Sequence, residues 1–229
     1  MRNHTKTLAA VMLIVMAAMA SGCTKIGGSS KHECVDLGLP SGTKWATCNV
    51  GANSPEEYGD HFAWGETQPK SNYEWLTYKH TMGTDVEMLK YCTNSGSGLN
   101  GYTDGLLYLE PEDDAAAANW GKKWRTPTYE QWMELHNYTT KTQTTQNGVE
   151  GILYTGGNGK SIFLPFAGIA SKTRIIGQGE QGGYWTSLLH TELHSGSSDG
   201  AMIYMPMPDD FIEIEAARYK GLSVRPVRK

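Results

Sequence analysis

The sequence predicts an α+β domain, with two helices packed on a twisted, mostly antiparallel sheet and long loops between them. The helix signal is the run 124–132, where capping residues, a proline suited to a first helical turn and three large aromatic side chains follow one another. The sheet signal is a pair of apolar runs, 152–154 and 162–164, on either side of a glycine-rich turn. Residues 51–105 show little periodicity and are rich in Gly, Asn, Ser and Thr, which predicts the loops.

The N-terminus has the pattern of a bacterial export signal. Arg2 and Lys6 precede an apolar run at 8–20 that is too short to span a bilayer as a helix. The small residues 20–22 stand directly before Cys23, which resembles the lipobox of bacterial lipoproteins. We therefore expect a cleaved signal peptide and a lipid on Cys23. An ordinary signal peptide with an incidental cysteine is the alternative.

Three segments follow from this interpretation: a signal peptide at 1–22, a lipid-anchored flexible tether at 23–31 and a single folded domain at 32–229. The tether is rich in Gly, Ser and Lys with almost nothing apolar. The domain contains enough residues for one sizeable core, and the chain's seven tryptophans and twelve tyrosines supply bulky side chains for it.

Charge and composition restrict the partners. The formal net charge is -4, and the basic residues are scattered without a stripe of Lys or Arg, which disfavours nucleic acid. No further apolar run has the length of a membrane span. The expected membrane contact is the lipid on Cys23.

Three further cysteines lie at Cys34, Cys48 and Cys92, an odd number without Cys-x-x-Cys spacing. Cys48 could pair with either of the others, and three buried thiols are the alternative.

The first elements in chain order are extended. Residues 35–50 predict a hairpin around the turn Pro40-Ser41-Gly42. The following stretch 51–105 is expected to be mostly loop, apart from a turn of helix at 86–91. Aromatic side chains are expected to fix this loop to the core: Tyr58, Phe62, Trp64, Tyr73, Trp75 and Tyr78.

Two helices come next. The first is predicted at 111–120, from Pro111 to a stop at Gly121, with acidic residues complementing the helix dipole. The second follows Thr128, which has capping-box spacing to Gln131. Its predicted inward face consists of Tyr129, Trp132, Met133 and His136, with Leu135 beside them.

Strands are predicted in the last third of the chain. After a polar Thr and Gln stretch comes the hairpin of 152–154 and 162–164. Further strands are expected near 183–187, 201–205, 211–214 and 222–227, separated by clusters of turn residues.

Several of these segments together resemble a known family. They are 35–42, 45–52, 58–60, 64–66, 109–116, 124–132 and 221–227. They are similar to the Fibrobacter succinogenes major paralogous domain, and the similarity covers almost the whole mature chain. The resemblance implies a lipoprotein of gut Bacteroidetes with a C-type lectin-like fold, in the branch shared with the formylglycine-generating oxidases. The fold assignment depends on the similarity of 125–132 to the Arg-Leu-Pro-Thr-x-x-Glu-Trp run of those oxidases and on the closing Gly-x-x-x-Arg.

The oxidase activity itself is not expected. Those enzymes hold copper with cysteines placed late in the domain, and this chain has no cysteine after Cys92. Late Tyr, Ser and Met side chains cannot replace thiolate ligands without changing the metal chemistry. We therefore expect no cofactor and no catalytic residues.

Metal sites are also not expected. His190 and His194 are four residues apart, but a zinc protease needs its glutamate beside the first histidine, and the segment is typical of a loop. Two acidic pairs, 113–114 and 209–210, offer oxygen ligands for calcium. Helix N-terminal charge explains the first pair and a turn between strands explains the second.

The predicted ligand site lies in the late loops. Aromatic rings could stack on sugars there, with carboxylates as hydrogen-bond partners. The predicted ligand-binding residues are Tyr184, Trp185, Tyr204, Asp209, Asp210 and Tyr219. For Trp185, a place in the core is the competing interpretation.

The resulting hypothesis is a non-catalytic, lipid-anchored binding or adhesion module of the cell envelope, with a glycan or protein as its ligand. Outer-membrane sorting fits Thr24 after Cys23, with the surface and the periplasmic side as alternatives. Three other functions compete with it: a structural envelope lipoprotein without a small ligand, a carbohydrate-active accessory enzyme, and a receptor diversified by a retroelement.

Overall fold

A computed structural model describes residues 32–190, 200–207 and 211–229. His32–Lys229 cluster as one compact unit. Helices and mostly antiparallel sheets make it an α+β fold, as predicted. The predicted signal peptide, the tether and Cys23 lie outside the described residues.

The regular elements are short. The helices are α1 (Ala115–Trp120) and α2 (Tyr129–Tyr138). The strands are β1 (Cys34–Asp36), β2 (Lys44–Ala46), β3 (Thr139–Gln146), β4 (Val149–Gly156), β5 (Ser161–Pro165), β6 (Ile169–Ser171), β7 (Arg174–Ile176), β8 (Tyr184–Leu189), β9 (Gly200–Pro206), β10 (Phe211–Ala217) and β11 (Val227–Arg228). They form sheets of order β1-β2-β11, β10-β9-β8 and β3-β4-β5 and the two-stranded ribbon β6-β7.

The predicted opening hairpin is confirmed. β1 and β2 pair antiparallel, with Val35 opposite Trp45, and the turn closes with Gly42 N–H donating to Leu39 O at 2.9 Å. Gly42 has φ +71°, a conformation that favours glycine. β11 pairs with the other edge of β2, so both ends of the domain meet in one sheet.

The first helix begins later than predicted, at Ala115 instead of Pro111. Residues 111–113 form a turn, because the Asp114 carboxylate caps the helix and accepts from the N–H of Ala116. The same carboxylate accepts from the N–H and the hydroxyl of Thr126 at 2.8 and 2.7 Å. Asp114 therefore caps α1 and also holds Thr126, which precedes α2, in place. Gly121, at φ +94°, stops α1 as predicted.

The second helix and its capping box are confirmed. Thr128 Oγ1 accepts from Gln131 N–H at 3.3 Å, and Gln131 Oε1 accepts from Thr128 N–H at 3.1 Å. Trp132 and Leu135 are fully buried, whereas the other predicted inward residues are only partly buried. Trp132 stacks on Tyr204, with ring centroids 4.5 Å apart, and so attaches the helix to β9.

One strand was not predicted, and two other predictions need correction. The polar stretch 139–146 is strand β3, whose β-branched threonines suit a sheet with one solvent face. Residues 86–91 are not helical, because Met88 pairs in isolated bridges with Thr81 and Gly98. The predicted strand 222–227 is mostly isolated bridges, and its regular part is only β11.

Aromatic side chains fix the long loop to the core, as predicted. Phe62, Trp64, Tyr73 and Tyr78 are buried, and Tyr58 and Trp75 are partly buried. The polar ends of the buried rings also have partners: Trp64 Nε1 donates to Thr186 O at 2.9 Å, and Tyr78 Oη donates to Trp64 O at 2.8 Å. Hydrogen-bonded rings replace aliphatic packing where the chain has few aliphatic residues.

The cysteines of the domain are not paired with one another. Cys34, Cys48 and Cys92 are all free thiols; Cys48 and Cys92 are buried, as the thiol alternative expects, whereas Cys34 is partly buried.

Among the described residues, no helix has both the length and the apolar character needed to cross a bilayer.

The Asp114 cap generates a stability prediction. Asp114→Ala leaves the buried donors of Ala116 and Thr126 without their acceptor, and we expect a loss of about 2–4 kcal/mol. Urea denaturation of wild type and variant measures the loss. The matched control is Asp85→Ala, since Asp85 has no hydrogen bond or ion pair in the described structure and should change the free energy of unfolding by less than about 0.5 kcal/mol. Equal effects of the two variants would contradict the capping role.

Candidate functional site

A surface cleft of about 360 Å³ lies between the β6–β7 hairpin and the long loop. Its lining comes from three segments and consists of residues 59–61, 69–71, 73, 170 and 172–175. We call it the β6–β7 cleft. Its size is within the range of small-ligand sites, and its three segments are far apart in the sequence.

The floor of the cleft is the segment 59–61, which is held against Asn49 and Val50. Asn49 Nδ2 donates to Tyr58 O at 2.9 Å, and Asp60 N–H donates to Val50 O at 2.9 Å. Gly59 has φ +72°, and a Cβ atom there would lie 2.5 Å from Val50 O. Only glycine allows this close approach.

His61 is a buried, neutral part of that floor. Burial lowers the pKa of the His61 imidazole, so the ring is uncharged near neutral pH. Its Nε2 lies 3.1 Å from Ala167 O, which assigns the Nε2–H tautomer as the donor. The hydrogen bond holds the floor against the connection between β5 and β6.

The opposite wall is the β6–β7 hairpin, which is attached to the loop through Tyr73. Tyr73 and Lys172 exchange both backbone hydrogen bonds, at 2.9 and 2.8 Å. The Tyr73 hydroxyl donates to His61 O at 2.6 Å, so one ring joins wall and floor. Gly221 leaves room for this ring, since a Cβ atom there would lie 2.5 Å from it.

The cations of the cleft differ in their partners. Lys70 Nζ is paired with Glu66 Oε1 at 2.8 Å and also donates to Thr77 O at 2.8 Å. Lys172 and Arg174 are exposed, and no carboxylate of the described residues lies within 4.0 Å of either. Among the described lining residues, Asp60 supplies the one carboxylate. The cleft therefore offers two cations that are free to bind an anion.

Three of the predicted ligand-binding residues lie in the core and need correction. Tyr184, Trp185 and Tyr204 are 0 %, 1 % and 2 % exposed, because β8 and β9 are covered by α2 and by the long loop. Their polar atoms bind inside the protein: Tyr184 Oη donates to Pro165 O, and Trp185 Nε1 donates to Phe62 O. Burial also raises the pKa of Tyr184 to about 12. None of these rings presents a face to a ligand.

Tyr219 is the predicted residue that the structure brings near the cleft. It is partly buried and contacts Trp75 edge to face, with ring centroids 4.9 Å apart. Both rings pack against the cluster that contains Tyr73 and Ala170, two lining residues. Asp209 and Asp210 lie outside the described residues.

The residues missed by sequence reasoning are Lys172 and Arg174. The signal in the sequence is two cations separated by one threonine at the tip of a short extended pair. Such a pair is common on solvent-exposed turns. This pair lines a cleft only because Tyr73 and His61, which are far away in the chain, form the rest of the lining.

The acidic pair 113–114 has a structural role. The Asp113 carboxylate is 2 % exposed and binds Lys79 Nζ at 2.6 Å, Lys90 Nζ at 2.7 Å and the Tyr91 hydroxyl at 2.9 Å. Burial alone would favour the protonated acid, but these hydrogen bonds hold the pKa of Asp113 at about 2. Both oxygens of the Asp113 carboxylate are therefore bound to lysine ammonium groups. In the described part of the chain, no three potential ligands are arranged to hold a metal ion.

Of the predicted histidine pair, His190 lies among the described residues. His190 Nδ1 lies 2.6 Å from Glu215 Oε2, and His194 lies outside the described residues.

Comparisons with protein-family models, with curated proteins and with solved structures find no match to this chain.

Gly59 generates a prediction for the floor of the cleft. Gly59→Ala combines a left-handed backbone with a contact of 2.5 Å to Val50 O, and we expect a loss of about 2–3 kcal/mol in unfolding free energy. Gly105→Ala is the matched control, because Gly105 has φ +66° and no other atom lies within 4 Å of the place that an alanine methyl would take. That control should lose only about 1 kcal/mol. Thermal and urea unfolding measure both, and equal losses would show that the close approach to Val50 has no energetic weight.

Proposed function

We propose that this chain is a lipid-anchored binding or adhesion module of the cell envelope, with a C-type lectin-like fold of the Fibrobacter succinogenes major paralogous domain type. The motifs at 35–52 and 221–227 support the family, and the meeting of β1, β2 and β11 fits a scaffold closed at its two ends. The ligand is a glycan or a protein, and the module is non-catalytic.

The observation that supports binding is the β6–β7 cleft. Its floor and its wall are fixed by hydrogen bonds of 2.6–2.9 Å among Tyr73, His61 and Lys172, while Lys172 and Arg174 are exposed to solvent. A preformed cleft of this kind binds without paying for ordering of the protein.

Binding fits the lining better than sugar hydrolysis does. Glycoside hydrolases use two carboxylates on either side of the scissile bond. The described lining contains Asp60 and no second carboxylate. This observation favours a binding module over a carbohydrate-active enzyme.

The anchor is the lipid on Cys23, which holds the domain to the outer membrane through the tether 23–31. A short polar tether gives the domain freedom to meet a ligand close to the membrane. A structural lipoprotein would need no ligand cleft at all.

Cell fractionation combined with array binding tests this proposal. We expect the wild-type chain in the outer-membrane fraction and Cys23→Ala in the soluble fraction, because the variant has no acceptor for the lipid. Both should bind the same components of a glycan array or of an envelope protein array. The control Cys92→Ala keeps Cys23 and should stay with the membrane.

Failure has two distinct forms. If Cys23→Ala stays membrane-bound, the lipid anchor is wrong. If the wild type binds neither glycans nor proteins, the binding function is wrong and a structural role takes its place.

A further inference from the structure

We propose that the β6–β7 cleft binds an anionic sugar unit, a uronate or a sulfated sugar, and that Lys172 and Arg174 bind its negative group. This inference rests on the proposed binding function and specifies its ligand. A uronate and a sulfated sugar share the relevant chemistry, because each carries negatively charged oxygen atoms on a sugar ring.

Charge is the first reason. The chain as a whole has a formal net charge of -4, so it does not attract anions in general. Lys172 and Arg174 nevertheless stand together at the mouth of one cleft, without a carboxylate partner among the described residues. A guanidinium and an ammonium in one place suit carboxylate or sulfate oxygens, which accept strong charge-assisted hydrogen bonds.

The backbone that holds these cations is the second reason. Lys172 has φ +52° and is fixed in this conformation by its two hydrogen bonds with Tyr73. Arg174 pairs with Ser171 across the hairpin, and the next pair along joins Ala170 to Ile175. Ala170 in turn exchanges two backbone hydrogen bonds with Gly221, at 2.8 and 2.9 Å. The backbone that carries the two cations is therefore fixed before a ligand arrives.

The remaining lining favours a sugar. Ser71 and Thr173 are exposed and bring hydroxyl groups, which both donate and accept as sugar hydroxyls require. Pro69 and Ile175 add a small apolar surface, and Ile175 is 47 % exposed. About 360 Å³ is room for a sugar residue or two.

An acidic peptide is the competing ligand, and the geometry favours it less. A peptide could add a strand to the outer edge of β7, as in other edge-strand complexes. β7 has only three residues, Arg174–Ile176, so an added strand would form few backbone hydrogen bonds. The hydroxyl groups of the cleft would have no comparable role.

Isothermal titration of the detergent-solubilised full mature chain tests the inference. The probes are a tetragalacturonate, a heparin-derived tetrasaccharide, a neutral galactose tetrasaccharide and a hexaglutamate peptide. We expect one or both acidic sugars to bind, with affinity that falls as salt is added. Binding of the tetragalacturonate identifies carboxylate as the anion, and binding of the heparin-derived tetrasaccharide identifies sulfate.

Variants locate the binding in the cleft. The double substitution Lys172→Ala with Arg174→Ala should weaken acidic-sugar binding at least about tenfold, because two charge-assisted hydrogen bonds are lost. The matched control is Lys122→Ala with Lys123→Ala, which removes the same charge from two exposed residues outside the cleft lining and should leave the affinity unchanged. Arg174→Lys keeps the charge and should retain most of the affinity that the double variant loses.

Each other outcome overturns the inference. Neutral sugar that binds as well as acidic sugar, or acidic-sugar binding that the double variant does not change, leaves the proposed binding function in place and removes the anion site. Binding of hexaglutamate alone makes the ligand a peptide. If none of the four probes binds while the arrays give a ligand, the inference fails by itself, and if the arrays are also empty, the proposed function fails with it.

Discussion

The Arg225 guanidinium is fully buried and hydrogen-bonds to four oxygen atoms from different parts of the chain. Its Nε donates to Asn49 Oδ1 at 2.8 Å, and its terminal nitrogens donate to the backbone oxygens of Ala46, Thr47 and Phe163 at 2.8–3.1 Å. Burial lowers the pKa of Arg225, yet a guanidinium keeps its charge in proteins. A buried charge costs several kcal/mol unless its donors are satisfied, so these oxygens must be in place when the domain is folded. The constraint joins the strand β2, the loop after it and the strand β5.

The same constraint extends to the cleft. Asn49 accepts from Arg225 with one side-chain atom and donates to Tyr58 O with the other. The segment that follows Tyr58 is the floor of the β6–β7 cleft, and His61 in that floor accepts from Tyr73 through its backbone oxygen. The position of the β6–β7 wall thus depends on a charge buried in the core, through a short series of direct hydrogen bonds. Fixed loops on a rigid core are the usual way in which binding sites combine precision with variable sequence.

Local features of this fold could be predicted from the sequence, because their signals are local. The capping box of Thr128 and Gln131 and the hairpin turn at 156–159 each depend on residues that are neighbours in the chain. The predicted start of the first helix is too early, since the sequence does not show which of the acidic residues 112–114 is the cap, and the Thr126 hydroxyl that also binds Asp114 is twelve residues away. β3 could not be predicted, because a run of threonines and glutamines is only a weak indication of a strand when one face of the strand is exposed to solvent.

The candidate site could not be predicted in the same way. The sequence pattern of the aromatic residues in β8 and β9 is the same whether they face a ligand or the core. In the structure they face the core, where Tyr204 packs on Trp132. The role proposed for Lys172 and Arg174 depends on the cleft that Tyr73, far earlier in the chain, forms with their hairpin. Such contacts between distant segments have no sequence period that could reveal them.

Hydrogen exchange in Asn49→Asp tests the link between the core and the cleft most directly. The substitution keeps an oxygen for Arg225 Nε and removes the donor to Tyr58 O. If the buried charge holds the floor through Asn49, the Asp60 amide, which donates to Val50 O, should exchange about fivefold to tenfold faster than in wild type, while the amides of β4 keep their protection. Unchanged exchange at Asp60 in the folded variant would contradict the dependence of the cleft on Arg225.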